Sequence, residues 1–70
     1  MAEVISVDSE RGKVVVKISG RDLVIQYVEN EGEYLVENPG DATVAVCIVA
    51  CHTAAEALEK LKPKQFELFA

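Results

Sequence analysis

The chain is poor in the groups that staple or anchor a small protein. Its 70 residues include two cysteines, two prolines, one histidine, no tryptophan, and only two tyrosines and two phenylalanines. Cys47 and Cys51 allow at most one disulfide, and they lie in an apolar run with no Gly or Pro between them. Read as a strand, that run places residues four apart too far from each other to bridge. Reduced thiols are therefore expected, and these point to a cytoplasmic protein. Basic residues are scarce as well, with 7 Lys and Arg against 12 Asp and Glu and a net charge of −5. That balance excludes nucleic-acid binding by counterion release, so no direct nucleic-acid contact is expected. No apolar stretch approaches the roughly 20 residues that a membrane helix needs. Residues 1–4, Met-Ala-Glu-Val, lack the basic region and long apolar core of a signal peptide. The length is too short for a sizeable enzyme with its own cofactor cleft, and no cofactor is expected.

What is present is hydrophobic residue in quantity: 50% of the chain, rich in Val, Ile and Leu. That excludes intrinsic disorder and implies one folded domain, assigned to residues 1–63, followed by a tail over 64–70. A domain of this size buries only about 60% of the surface its unfolded chain exposes. Such domains often need a staple, and without a disulfide the remaining one is a second subunit, so a homodimer is expected.

Alternation of apolar and polar residues predicts strands over 3–8, 13–18, 23–29 and 33–37. In the first, Ile5 and Val7 share a face. In the second and third, Val14, Val16, Ile18, Leu23, Ile25 and Tyr27 form one apolar face. In the fourth, Tyr34 and Val36 stand opposite Glu33, Leu35 and Glu37. Turns at 9–12, 19–22 and 30–32 carry Gly and polar residues, and their shortness implies an antiparallel meander. Asn38-Pro39-Gly40-Asp41 is the strongest turn signal. Beyond it, residues 42–55 contain no Asp, Glu, Lys or Arg. The β-branched content of 43–50 favours a central fifth strand over a helix. Thr53-Ala54-Ala55-Glu56 reads as a capping box opening a helix that runs to about Lys62 and stops at Pro63. Ala54, Ala57, Leu58 and Leu61 form its apolar stripe. The expected fold is α+β: an antiparallel meander of about five strands with one C-terminal helix, whose Leu58 and Leu61 cover part of the sheet.

Three constellations carry candidate chemistry. Cys47, Cys51 and His52 are three potential soft ligands, but a tetrahedral site wants four and no second pair exists, so no metal is expected. A Cys51–His52 nucleophilic pair is disfavoured because adjacent strand residues point to opposite faces. Glu29, Glu31, Glu33, Glu37 and Asp41 carry five negative charges with no Lys or Arg among them. They form either a solvated hairpin or an acidic face for a basic partner, as in small inhibitors that imitate nucleic acid.

Residues 65–69, Gln65-Phe66-Glu67-Leu68-Phe69, resemble the bacterial sliding-clamp-binding peptide, whose pattern is Gln, an apolar residue, a small or acidic residue, Leu, Phe. Phe66 stands where Leu is commoner. The resemblance implies that Gln65 offers an amide donor and acceptor while Phe66, Leu68 and Phe69 fill an apolar pocket. The alternative is that Phe66 or Phe69 folds back over the core or a dimer partner.

Over residues 23–62, Gly32-Glu33-Tyr34, Pro39 and Thr53-Ala54-Ala55-Glu56-Ala57-Leu58 fall in the order seen in HicB-type antitoxins, which this stretch resembles. His52 replaces the Gly that usually precedes the Thr, two strands precede the match, and the DNA-binding segment that usually follows is absent. The resemblance implies a sheet carrying one helix, and an antitoxin-like role as a further possibility. The function expected is a non-enzymatic binding or regulatory module for a protein partner, such as a sliding clamp or a toxin or nuclease. Its contact would be the acidic hairpin or the tail. A small enzyme subunit using Cys51 and His52 is the remaining class.

Overall fold

A computed structural model describes residues 2–61. It is α+β. One open sheet is built from β1 (Glu3–Asp8), β2 (Lys13–Ile18), β3 (Arg21–Val28) and β4 (Glu33–Val36), all antiparallel and in the order β1-β2-β3-β4. One helix follows, α1 (Val44–Leu61). The meander is as the alternation predicts, with β3 opening at Arg21 because the β2–β3 turn is tighter than expected. Ser19 and Gly20 both take positive φ, 53° and 75°, the mirror-image turn whose twist suits a two-residue hairpin.

The expected fifth strand is the first half of α1. Two physical facts decide this. Residues 44–51 are apolar or small at every position, so no period distinguishes strand from helix. No Gly or Pro separates them from the strongly helical Ala-, Leu-, Glu- and Lys-rich sequence that follows. The penalty on Val and Ile in a helix is only a few tenths of a kcal/mol each, about what packing overrides. An 18-residue helix is about 27 Å long. That length lets one helix lay Ala50, Ala54 and Leu58, all buried, along the sheet. A helix starting at residue 53 would leave much of that face bare.

The helix start moves accordingly. Thr43 is the cap: its Oγ1 accepts from the Val46 N–H at 3.2 Å, and its carbonyl accepts the first helical bond from the Cys47 N–H at 3.0 Å. Thr53, the expected cap, lies in mid-helix and donates its hydroxyl back to the Val49 carbonyl at 2.8 Å.

Val14, Val16, Ile18, Leu23 and Ile25 are buried on the sheet face under α1, with Tyr27 half-buried beside them. Leu58 seals one end of this core, whereas Leu61 is 56% exposed and does not cover the sheet as expected. β1 departs from simple alternation. Val4 pairs with Val16 and Val7 with Val14, and between them the register slips by one residue. This is a β-bulge in which the added residue is Ile5. It carries Val4 and Val7, three apart in sequence, to the same core face, and it breaks the expected Ile5–Val7 pairing of faces. Ile5 is 49% exposed.

Asn38 extends the β3–β4 ladder beyond β4. Its Oδ1 accepts from the Val24 N–H at 2.8 Å and its Nδ2 donates to the Asp22 carbonyl at 3.0 Å. One side-chain amide thus stands in for a peptide unit of the strand.

Candidate functional site

Two surfaces meet at β4. The first is the acidic hairpin. The loop is closed by the Gly32 N–H donating to the Val28 carbonyl at 2.8 Å, with Gly32 at a φ of 65°. This presents Glu29 and Glu31 at the tip, and Glu33 opens β4 opposite Val28. All three are exposed, and none forms an ion pair among the described residues. The other acidic residues differ. Glu37 Oε1 lies 3.4 Å from Lys13 Nζ, and Asp41 is paired with Arg21. Arg21 also donates to the Pro39 carbonyl at 3.3 Å, so it ties the 39–41 loop to the sheet. The five carboxylates that the sequence groups together therefore separate into three with no ion pair among the described residues and two that are each paired with a cation.

The second surface was not foreseen. An open groove of about 500 Å³ runs between β4 and the first half of α1, lined by Tyr34, Leu35, Val36, Pro39, Ala42, Val44, Cys47, Ile48 and Cys51. No lining side chain is charged. Val44 and Ile48 stand up along its helical wall, 76% and 62% exposed, and Leu35 on the strand side is 45% exposed. The signal for this groove was in the sequence: a charge-free run in a helix is apolar on every side, and one sheet covers only one side. Read as a strand, the same run looked like buried interior.

Tyr34, which lines the groove, forms a cross-strand ring pair with Tyr27, the centroids 4.7 Å apart. Burial, followed by the neighbouring Tyr27 and Glu59, raises the Tyr34 pKa above its ordinary value.

Cys47 and Cys51 are both free thiols, one turn apart on the groove side of α1. Helix geometry replaces the strand argument against their chemistry: Cys51 and His52, at i and i+1, still do not face each other. His52 instead lies 3.5 Å from Glu56 Oε2, one turn on. Burial, and then proximity to Cys47, push the Cys51 thiol pKa up, which keeps it protonated and weakly nucleophilic at neutral pH. Among the described residues no group of three or more His, Cys, Asp or Glu side chains could hold a metal ion. Among them, too, no helix is long and apolar enough to cross a membrane. Gln65, Phe66, Leu68 and Phe69 lie outside the described residues.

No protein-family model, curated protein or solved structure matches this chain.

Proposed function

We propose that this protein is a non-enzymatic binding module that acts on a protein partner, with the β3–β4 hairpin as its contact surface. The observation that supports this reading is the division among its carboxylates. Glu37 and Asp41 are held by Lys13 and Arg21, while Glu29, Glu31 and Glu33 are exposed and form no ion pair among the described residues, Arg11 being a cation that shares a surface pocket with Glu29. Carboxylates so arranged favour a partner with a basic face, which a toxin or nuclease offers, and such encounters weaken with salt. The protonated Cys51 thiol and its separation from His52 argue against a nucleophilic enzyme subunit.

A second reading places the contact at Gln65, Phe66, Leu68 and Phe69, on the strength of their match to the clamp-binding peptide. One experiment separates the two. The full chain, a Glu29→Lys/Glu31→Lys/Glu33→Lys variant and a Phe69→Ala variant are used as baits, and a purified bacterial sliding clamp is titrated against each. A protein that the wild type retains, that the triple variant loses and that elutes with modest salt supports the hairpin. Clamp binding that only Phe69→Ala abolishes moves the contact to the tail. Identical retention by all three baits overturns both.

A further inference from the structure

We propose that Cys47 and Cys51 together form a binding site for one soft, two-coordinate metal ion of the copper(I) class, which bridges their sulfurs on the helical wall of the groove. This site is separate from the hairpin tip, and the inference stands whatever the hairpin binds.

The helix brings the two thiols together. Side chains at i and i+4 share a face, with Cβ atoms roughly 5–6 Å apart. Cys47 and Cys51 have that spacing in α1, and both line the open groove as half-buried free thiols. They are close enough to sense each other: after burial, proximity to Cys47 is what raises the Cys51 pKa. A direct disulfide needs Cβ atoms about 3.5–4.5 Å apart, closer than a regular helix sets them. A single bridging ion with thiolate bonds of about 2.3 Å lets the sulfurs stand up to about 4.6 Å apart, and so closes the gap.

The donor set decides the ion. Thiolates select copper(I) and zinc over hard cations, and zinc wants four ligands. Besides the thiols, the groove lining offers only the Tyr34 phenol, whose proton is held more tightly than usual. Leu35, Val36, Pro39, Ala42, Val44 and Ile48 supply no side-chain donor. His52 is on another face of α1, beside Glu56, and among the described residues no third His, Cys, Asp or Glu joins the pair. Two thiolates in line satisfy a monovalent filled-shell ion, so a donor set too small for zinc suits copper(I). Binding exchanges two S–H bonds for two S–Cu bonds and releases two protons, with no change of oxidation state. The loaded pair carries one negative charge, which the open side of the groove keeps in reach of water.

The test is anaerobic titration of the reduced full chain with copper(I) against a chromogenic copper(I) chelator, and separately with zinc(II). The wild type is expected to take one copper(I) per chain. Cys47→Ser and Cys51→Ser should each weaken that binding by about a hundredfold or more, because one thiol cannot chelate. A third variant combines Cys51→Ser with His52→Cys. It keeps two thiols but sets them about 140° apart around the helix, so it should bind no better than the single-thiol variants. All three should keep the wild-type far-UV circular dichroism, since His52 is exposed and neither cysteine belongs to the fully buried core. Tight binding retained by the third variant or by either serine variant overturns the site. So does a wild type that binds no copper(I), that shares one ion between two chains, or that takes zinc(II) as readily.

Discussion

Thr43 and Thr53 use their hydroxyls in opposite senses on one helix. Thr43 accepts from the Val46 N–H and satisfies an amide that has no helical partner, whereas Thr53 donates to a carbonyl that already has one. Thr43→Ala is therefore expected to lower stability by about 1 kcal/mol in urea denaturation, and Thr53→Ala to change it by no more than a few tenths. Equal losses at the two positions would contradict this assignment of the cap. Asn38 is a second residue whose identity matters more than its exposure suggests. Asn38→Asp keeps the acceptor for Val24 but turns a carboxylate toward the Asp22 carbonyl, where Nδ2 had donated. A loss of about 1–2 kcal/mol is expected, together with faster exchange of the β3 amides. Gly40 has a φ of 55°, and an added Cβ would meet the Arg21 Nη2 at 2.6 Å. The contact is with the movable end of a side chain, so the backbone conformation is the main obstacle to Gly40→Ala.

At the level of elements, Leu58 and Leu61 separate what periodicity reads correctly from what it misses. Both lie on the predicted stripe, yet Leu58 is 3% exposed and Leu61, at the last turn, is 56% exposed. Leu58→Ala should destabilise by about 2–5 kcal/mol and Leu61→Ala by well under half of that, measured as denaturant midpoints. The four strands were legible because each alternates and each is bounded by a turn with a local chemical signature. The N-terminal half of α1 was not, because Val44 to Cys51 carry no alternation at all. A legitimate capping sequence at Thr53 then supplied a false start. The bulge at Ile5 was equally hidden: one added residue changes which side chains share a face, and nothing within the strand announces it. Of the candidate site, the acidic residues were visible as a cluster. Their division into paired and unpaired groups depends on Lys13 and Arg21, which are distant in sequence. The groove depends on knowing that the charge-free run is helical.

For the molecule as a whole, the titrating groups near the groove define a pH response. Cys51 and Tyr34 both hold their protons more tightly in the folded chain than in the unfolded one. Their contribution is therefore complete below the unfolded values and is lost as pH rises. Thermal stability, measured at fixed protein concentration, should be level up to the ordinary thiol value of 9.0 and decline above it. Tyr34 adds its share above 10.0. Cys51→Ala should remove the earlier part of the decline and leave the later part. A sheet with two open edges is also a template on which further chains can polymerise. β4 guards its edge by being only four residues long and beginning with a glutamate. β1 is longer and carries Val4 and Ile5, and its guard is the bulge, which interrupts the row of backbone groups a new strand would need. Deleting Ile5 would leave Val4 opposite Val16, Ser6 opposite Val15 and Val7 opposite Val14, a regular strand with its core face intact. The deletion variant should fold and then convert to thioflavin-positive fibres at concentrations where the wild type stays clear. On this expectation a single isoleucine outside the buried core, by interrupting the edge, is what separates a soluble fold from the repeating unit of a fibril.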